Sequence, residues 1–215
     1  MLRVNQLIII GGPSRSGKSF LIEKMKQGDC PYLCDQLGII DPSSWNYLVA
    51  NSLNKEQRPM IEKLVVHYDF YPQYSKKRGF NYLSELITNS NNVVVLTLFV
   101  PPEILIQRNK SKLLEALKSP FCLSAYKRKR LFKVKRKVRR LQRVWRLWKK
   151  QRAYQKGLSV LLYERWTDFF SRNSVAAHWI LDFNKSNNWI AQPYIIDKDK
   201  VFNGIKGRDG VAGEE

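Results

Sequence analysis

Cysteine is scarce in this sequence, which contains three: Cys30, Cys34 and Cys122. So few cysteines, in an odd number, argue against a disulfide framework, and Cys30 and Cys34 have no second pair with which to bind zinc. Long apolar runs are also missing, since a run such as residues 93–102 is too short to span a bilayer. The first residues lack the shape of a signal peptide, because the apolar run at residues 7–10 is too brief. These absences predict a cytoplasmic protein without a transmembrane segment.

Acidic residues are absent from residues 126–156, a segment that holds sixteen Lys and Arg. The whole chain has 38 basic and 18 acidic residues and a formal net charge of +20. Outside this segment 22 basic residues face all 18 acidic ones, so the basic character belongs to one part of the chain. At 215 residues and 44% hydrophobic content, the sequence predicts one domain with an insertion and a sizeable core.

A glycine-rich loop at residues 12–19 is the most informative motif. It reads G-P-S-R-S-G-K-S and fits the phosphate-binding spacing G-x-x-x-x-G-K-[ST]. A buried strand is predicted before it, at residues 7–10, and an amphipathic helix after it, at residues 20–26. In this context the loop N–H groups would surround a phosphate, Lys18 would neutralise the β- and γ-phosphates, and Ser19 would ligate Mg²⁺. The predicted nucleotide-binding residues are Gly12, Pro13, Ser14, Arg15, Ser16, Gly17, Lys18, Ser19 and Phe20.

Residues 5–27 resemble the first β–loop–α unit of P-loop NTPases, and in particular of the small P-loop kinases. The resemblance implies ATP as the phosphoryl donor, Mg²⁺ as the cofactor and an acceptor that the sequence does not identify. Residues 11–17 also resemble the phosphosulfate-binding loop of sulfotransferases, which is one alternative. Those enzymes typically have Thr where Lys18 stands. They also place an Arg at the end of a strand to bind the 3′-phosphate of the donor, whereas the strand at residues 93–100 ends in Pro-Pro. Lys18 therefore favours a nucleoside triphosphate.

Two carboxylates are the main candidates for acid–base chemistry. Asp69 ends an apolar strand predicted at residues 64–69, which resembles a Walker B strand, so Asp69 is expected to orient Mg²⁺ or take a proton. Asp35 ends residues 31–35, a candidate for strand two, and in small P-loop kinases an Asp after that strand often contacts the acceptor. Residues 37–40 are a rival for strand two. Asp41 is predicted to cap a helix that extends to about residue 53.

Other polar side chains carry weaker indications. Asp182 and Asp197 also follow apolar runs, but they come late in the chain. His67 lies within the strand predicted before Asp69 and is interpreted as a structural histidine. Arg108 lies on a helix that starts after the strand at residues 93–100, in a passage that looks like the strand-to-lid passage of nucleotide kinases. That resemblance implies a contact between Arg108 and the phosphates.

The basic segment predicts a helix from about residue 124 to 156, because it contains no Gly or Pro and Gly157 follows it. Its apolar residues step by three and four, which predicts a buried stripe made of Leu131, Val134, Val138, Leu141, Trp145 and Trp148. A second amphipathic helix follows Gly157, and the two are interpreted as an antiparallel hairpin inserted at about residues 119–174. The cationic surface is expected to bind a polyanion: nucleic acid, an anionic membrane surface or an acidic acceptor. Its candidate residues are Arg136, Arg139, Arg140 and Arg143.

The expected fold is a three-layer α/β domain over residues 1–202, with a mostly parallel sheet of about five strands like that of P-loop NTPases. Residues 203–215 resemble the start of a collagen-like Gly-x-y tract and are expected to be disordered. The leading interpretation is an ATP-binding, Mg²⁺-dependent phosphotransferase in which Lys18, Asp69, Asp35 and Arg108 serve the chemistry. The alternatives are a sulfotransferase, a non-catalytic nucleotide-binding protein, and an NTPase that binds a polyanion through its basic helix.

Overall fold

The computed structural model of the protein describes residues 2–50, 59–70, 79–118, 130–182 and 189–193. Within these ranges the strands are β1 (Arg3–Pro13), β2 (Asn46–Val49), β3 (Met60–Phe70), β4 (Ser90–Phe99), β5 (Ala177–Asp182) and β6 (Gln192–Pro193). The helices are α1 (Lys18–Gln27), α2 (Pro31–Gln36), α3 (Gly79–Thr88), α4 (Pro102–Lys118), α5 (Arg130–Gln155) and α6 (Leu158–Ser171). A 3₁₀ turn at Pro42–Ser44 precedes β2.

The six described strands form one sheet in the order β2-β3-β1-β4-β5-β6. Neighbouring strands from β2 to β5 are parallel, and β6 is an antiparallel edge. The predicted α/β fold with a mostly parallel sheet is therefore confirmed, with six strands in place of about five. From β1 the chain moves to β2 on one side, whereas from β3 it crosses to β4 on the other side of β1. The connections thus reverse direction between β1 and β3, which creates a crevice beyond the carboxyl ends of these two strands.

Helices cover both faces of the sheet, so the domain has three layers. Successive residues of a strand point to opposite faces, and β1 supplies apolar side chains to both. Leu7 and Ile9 pack in a core with α3 and α6, while Ile8 and Ile10 pack in a second core with α1 and α2. Trp166 of α6, which is 1% exposed, is the largest fully buried side chain of the first core. Each fully buried large apolar side chain contributes about 1.5–3 kcal/mol to folding.

The sequence-based prediction for strand two was wrong. Residues 31–35 lie in α2, which Pro31 begins at a position where the missing proline N–H costs no hydrogen bond. Asp41 does cap a turn, because its Oδ1 accepts a 2.9 Å hydrogen bond from the Ser43 backbone N–H. The turn ends at Ser44, however, and the chain continues into the true second strand, β2. Pairing with β3 therefore determines which segment forms the second strand, since β2 lies in parallel register beside β3.

The predicted hairpin between the basic helix and the next helix was also wrong. α5 packs against α4, where Asn109 Nδ2 donates to the Leu147 carbonyl at 3.1 Å and to Gln151 Oε1 at 2.8 Å. The two helices are antiparallel, because Glu115, later in α4, lies within electrostatic reach of Arg143, earlier in α5. α6 leaves this α4–α5 hairpin and buries Leu162, Tyr163, Trp166 and Phe170 against the sheet. An amphipathic pattern identifies a helix and its apolar face but not the element that covers that face, which explains the error. The start predicted for the basic helix and the tail at 203–215 lie outside the described residues.

Candidate functional site

The glycine loop (residues 12–19) follows directly from β1 and leads into α1. The Ser16 N–H donates to the Pro13 carbonyl at 3.1 Å and closes the turn. Gly17 has φ = 103°, a left-handed conformation that glycine adopts without steric cost, and α1 starts at the next residue. Arg15 also has positive φ, at 79°, which is a strained conformation for a residue with a β-carbon. The loop therefore brings the N-terminus of α1, with its positive helix-dipole end, to the edge of the sheet.

Lys18 lies inside this loop and is 2% exposed. Its Nζ donates to the carbonyls of Gly12 and Pro13 at 2.9 and 2.8 Å, and it forms an ion pair of 2.7 Å with Asp69 Oδ1. Burial lowers the pKa of Lys18, and the Asp69 charge opposes that shift. At Asp69 burial acts to raise the pKa, but the neighbouring positive charges, Lys18 foremost and Lys150 further away, together hold the pKa below its usual value. Lys18 is thus a buried cation that pairs with a half-exposed carboxylate.

Strand register places Asp69 beside the loop. Gly12 on β1 is the partner of Asp69 on β3, so the carboxylate lies at the carboxyl edge of the sheet, at the point where the connections reverse. A cleft of about 600 Å³ opens there, within the usual size range of small-molecule sites. Its described lining residues are Ser14, Arg15, Gly17, Lys18, Ser19, Phe20, His67, Asp69, Arg108, Ser111 and Lys112.

Arginine side chains from two elements line the cleft. Arg108 of α4 donates from its guanidinium to the Arg15 carbonyl at 3.0 Å, so α4 is attached to the glycine loop. The Nε of Arg15 is buried and has no hydrogen-bond partner among the described residues. A buried donor without an acceptor is costly, and an anion in the cleft would satisfy it.

The α4–α5 hairpin brings two more side chains to the glycine loop. Neither was predicted from the sequence. Tyr154 of α5 donates from its hydroxyl to the Ser14 carbonyl at 3.1 Å. Lys150, one turn earlier, is half-buried and lies within electrostatic reach of Asp69, Arg15 and Lys18. Burial lowers the pKa of Lys150 to about 8, Asp69 opposes this shift, and the two neighbouring cations add to it. No local signal separates Lys150 from the many other cations of this helix.

The charges around the cleft favour an anionic ligand. Arg15, Lys18, Arg108 and Lys112 line it, against the single carboxylate of Asp69 among the described lining residues. The charge of Lys112 is balanced by a carboxylate outside the lining, since Lys112 Nζ lies 2.6 Å from Glu115 Oε2. Backbone N–H groups in the first turn of α1 have no acceptor four residues earlier in their own helix, which adds donors at the same place.

The residues available to a metal ion suit Mg²⁺ carried by a phosphate ligand. The Ser19 hydroxyl is exposed in the cleft and the Asp69 carboxylate lines it as well. No group of three or more His, Cys, Asp or Glu side chains in the described part of the chain could hold a metal by itself. Mg²⁺ commonly binds through one or two protein oxygens and completes its shell with substrate phosphates and water. Ser19 and Asp69 fit that arrangement.

The structure therefore brings Lys18, Ser19, Asp69 and Arg108 together, as predicted, but not Asp35. Asp35 is exposed on α2 and does not line the cleft, and Asp182 lies at the end of β5. His67 lines the cleft with its Nε2 3.8 Å from Asp69 Oδ1, and burial together with the Lys18 charge lowers its pKa. In the basic helix Arg143 is exposed. Outside the described side chains lie Arg136, Arg139, Arg140 and Asp197.

None of the described helices combines the length and the apolar character needed to cross a membrane. The sequence matches no model of a known protein family, and it matches no curated protein.

Proposed function

We propose that the protein is an ATP-binding, Mg²⁺-dependent phosphotransferase of the P-loop NTPase type, acting in the cytoplasm. The observation that carries the proposal is the Lys18–Asp69 ion pair of 2.7 Å beside a left-handed glycine loop, at the point where the sheet connections reverse. The cationic lining of the cleft and the buried, unsatisfied Nε of Arg15 support an anionic ligand of phosphate type. The chain has three cysteines, too few for a disulfide framework, which agrees with a reducing compartment.

Each side chain has a role that follows from its position. Lys18 lies beneath the loop, so a triphosphate in the loop would take over from Asp69 as counterion of its ammonium. Arg108 and Lys150 approach from the α4–α5 hairpin and would contact the outer phosphate, where charge is redistributed during transfer. Asp69 would accept the proton of an acceptor hydroxyl. Bound Mg²⁺, held by Ser19 and Asp69 with the phosphates, would supply charge neutralisation.

In this proposal the α4–α5 hairpin would also limit the access of water to a bound substrate. Tyr154 and Arg108 attach the two helices of the hairpin to the carbonyls of Ser14 and Arg15. A shielded site strengthens electrostatic interactions and limits transfer of the phosphoryl group to water. Catalysis of phosphoryl transfer depends mostly on positioning and on stabilisation of charge. Lys18, Arg108 and Lys150 would supply that stabilisation.

Calorimetric titration with ATP·Mg²⁺ and, separately, with the phosphosulfate donor of sulfotransferases tests the proposal. We expect saturable binding of ATP that Lys18→Ala abolishes while the circular dichroism spectrum is retained. Lys24→Ala is the matched control, because Lys24 lies on the same helix, pairs with Asp29 on the surface and is outside the cleft. Binding of phosphosulfate in place of ATP would support the sulfotransferase alternative. Undiminished ATP affinity in Lys18→Ala would refute the assignment of the loop.

A further inference from the structure

The described end of α5 has two different apolar faces. The face toward α4 and the glycine loop buries Leu147, Gln151 and Tyr154, which are spaced at one and two helical turns. A second face, rotated by roughly 120° at 3.6 residues per turn, carries Leu141, Trp145 and Trp148. These three side chains are 68%, 57% and 43% exposed. The stripe that the sequence analysis expected to be buried is therefore exposed over its described part.

Two cations lie on the same exposed face. Lys149 Nζ is 5.1 Å from the ring centroid of Trp145, and the Arg152 guanidinium carbon is 4.1 Å from that of Trp148. Each indole thus has a cation over one face. The outer face of α5 (Leu141, Trp145, Trp148, Lys149 and Arg152) combines apolar groups with adjacent positive charges along three turns.

We propose that the outer face of α5 docks on the surface of an anionic lipid bilayer. This binding activity goes beyond the proposed phosphotransfer and does not depend on it. A basic amphipathic helix with Trp and Leu on its exposed face lies in the plane of the lipid interface, with its apolar side chains among the acyl chains and its cations near the headgroups. Sixteen Lys and Arg without an acidic residue in residues 126–156 supply the charge complementarity to anionic headgroups.

A bilayer fits this face better than nucleic acid does. Binding of single strands relies on aromatic ring faces on which bases stack, but Lys149 and Arg152 already cover faces of Trp145 and Trp148. Leu141 is the most exposed of the three apolar side chains, and an aliphatic group has no role in stacking. Insertion of a Leu side chain into lipid removes its apolar surface from water.

Co-sedimentation with vesicles tests the docking, using phosphatidylcholine alone and phosphatidylcholine mixed with phosphatidylserine. We expect the full chain to bind the mixed vesicles and not the neutral ones. The variant Leu141→Ser/Trp145→Ser/Trp148→Ser should bind the mixed vesicles weaker by on the order of tenfold or more. These side chains are exposed, so the fold should survive, which an unchanged urea unfolding midpoint would verify. Ile40→Ser is the matched control, because Ile40 is 95% exposed and lies near α2.

Two further measurements separate lipid from other polyanions. Leu141→Ser alone should weaken vesicle binding but leave binding to a single-stranded RNA oligonucleotide unchanged, since Leu141 cannot stack on a base. Lys149→Gln/Arg152→Gln should weaken vesicle binding and flatten its dependence on salt. Equal vesicle binding by the triple variant and the unmodified chain would overturn the proposal. Tight RNA binding that the Trp substitutions abolish, with no preference for anionic vesicles, would overturn it in favour of nucleic acid.

Discussion

The hydroxyl of Tyr154 donates a 3.1 Å hydrogen bond to the carbonyl oxygen of Ser14, although the two residues are 140 positions apart in the chain. Tyr154 is 2% exposed, and its ring packs in a small apolar cluster with Val100 and Leu105, which holds the ring in place. The contact attaches the C-terminal end of the basic helix to the glycine loop. The position of the loop and the position of the helix are therefore coupled, and substitutions in one are expected to affect the other.

Substitution of Asp69 by Asn is expected to remove most turnover while ATP affinity stays within about tenfold, or roughly 1.4 kcal/mol. Asn keeps the shape of the side chain, but it neither takes a proton nor balances the Lys18 charge at 2.7 Å. Single-turnover kinetics and calorimetric titration measure the two effects separately. Asp182→Asn, at the end of β5, is the control and should keep full activity. Full turnover in Asp69→Asn would refute an acid–base role for Asp69.

Substitution of Lys150 by Met is expected to weaken ATP·Mg²⁺ binding or turnover by about tenfold, since a cation over the outer phosphate is lost. Lys150→Arg should restore much of the loss because it keeps the charge. Lys149→Met is the control, because Lys149 is exposed and lies over Trp145 on the outer face of α5, whereas Lys150 is half-buried and interacts with Asp69. Equal losses of ATP·Mg²⁺ binding or turnover in Lys149→Met and Lys150→Met would contradict a specific role for Lys150. They would show that the ligand responds only to the total positive charge of α5.

Introduction of a β-carbon at Gly11 should destabilise the fold. A β-carbon there would lie 2.8 Å from the Trp166 Cε2 atom and 2.9 Å from Phe70 Cε1, closer than packed carbons approach. We expect Gly11→Ala to lower the free energy of unfolding by about 1–3 kcal/mol, as for other overpacked cores. Urea unfolding of Gly11→Ala, Trp166→Phe and the double variant measures the coupling. Strictly additive losses would show that Gly11 and Trp166 do not compete for the same space.

Acid should weaken the fold through His178. Burial lowers its pKa to about 4, and Thr97 Oγ1, which accepts from Trp166 Nε1 at 2.7 Å, lies 2.8 Å from its Nε2. The unfolded chain takes up the proton near its ordinary pKa of about 6.5, before the folded chain does, so stability is full above pH 6.5 and falls as the pH drops toward 4. The expected loss between pH 7.5 and pH 5 is up to about 2 kcal/mol.

Urea unfolding at the two pH values measures this loss, and His178→Gln should abolish most of it. His67→Gln should remove a smaller part of the loss, because burial also lowers the pKa of His67 but this residue is only half-buried and lies at the cleft. A pH dependence that survives in His178→Gln would assign the acid sensitivity to other groups.

Several parts of the candidate site could be predicted from sequence because they depend on neighbouring residues in the chain. The spacing from Gly12 to Ser19 determines a turn, a helix start and a buried lysine within one short stretch. Asp69 could be predicted because it ends an apolar strand, and parallel strands end at one edge of a sheet. Each of these inferences needs only local geometry and the direction of a strand.

Tertiary structure alone decided which segment became β2, which helix partners α5, and which cations reach the cleft. Residues 31–35 carry apolar side chains that suit a strand or a helix, and pairing of Asn46–Val49 with β3 determined the outcome. Along α5 cations point in many directions, so only its packing through Leu147, Gln151 and Tyr154 turns Lys150 toward Asp69 and leaves Trp145 and Trp148 exposed. A sequence determines the period of a helix, but the rotation of that helix against its neighbours depends on contacts between residues far apart in the chain.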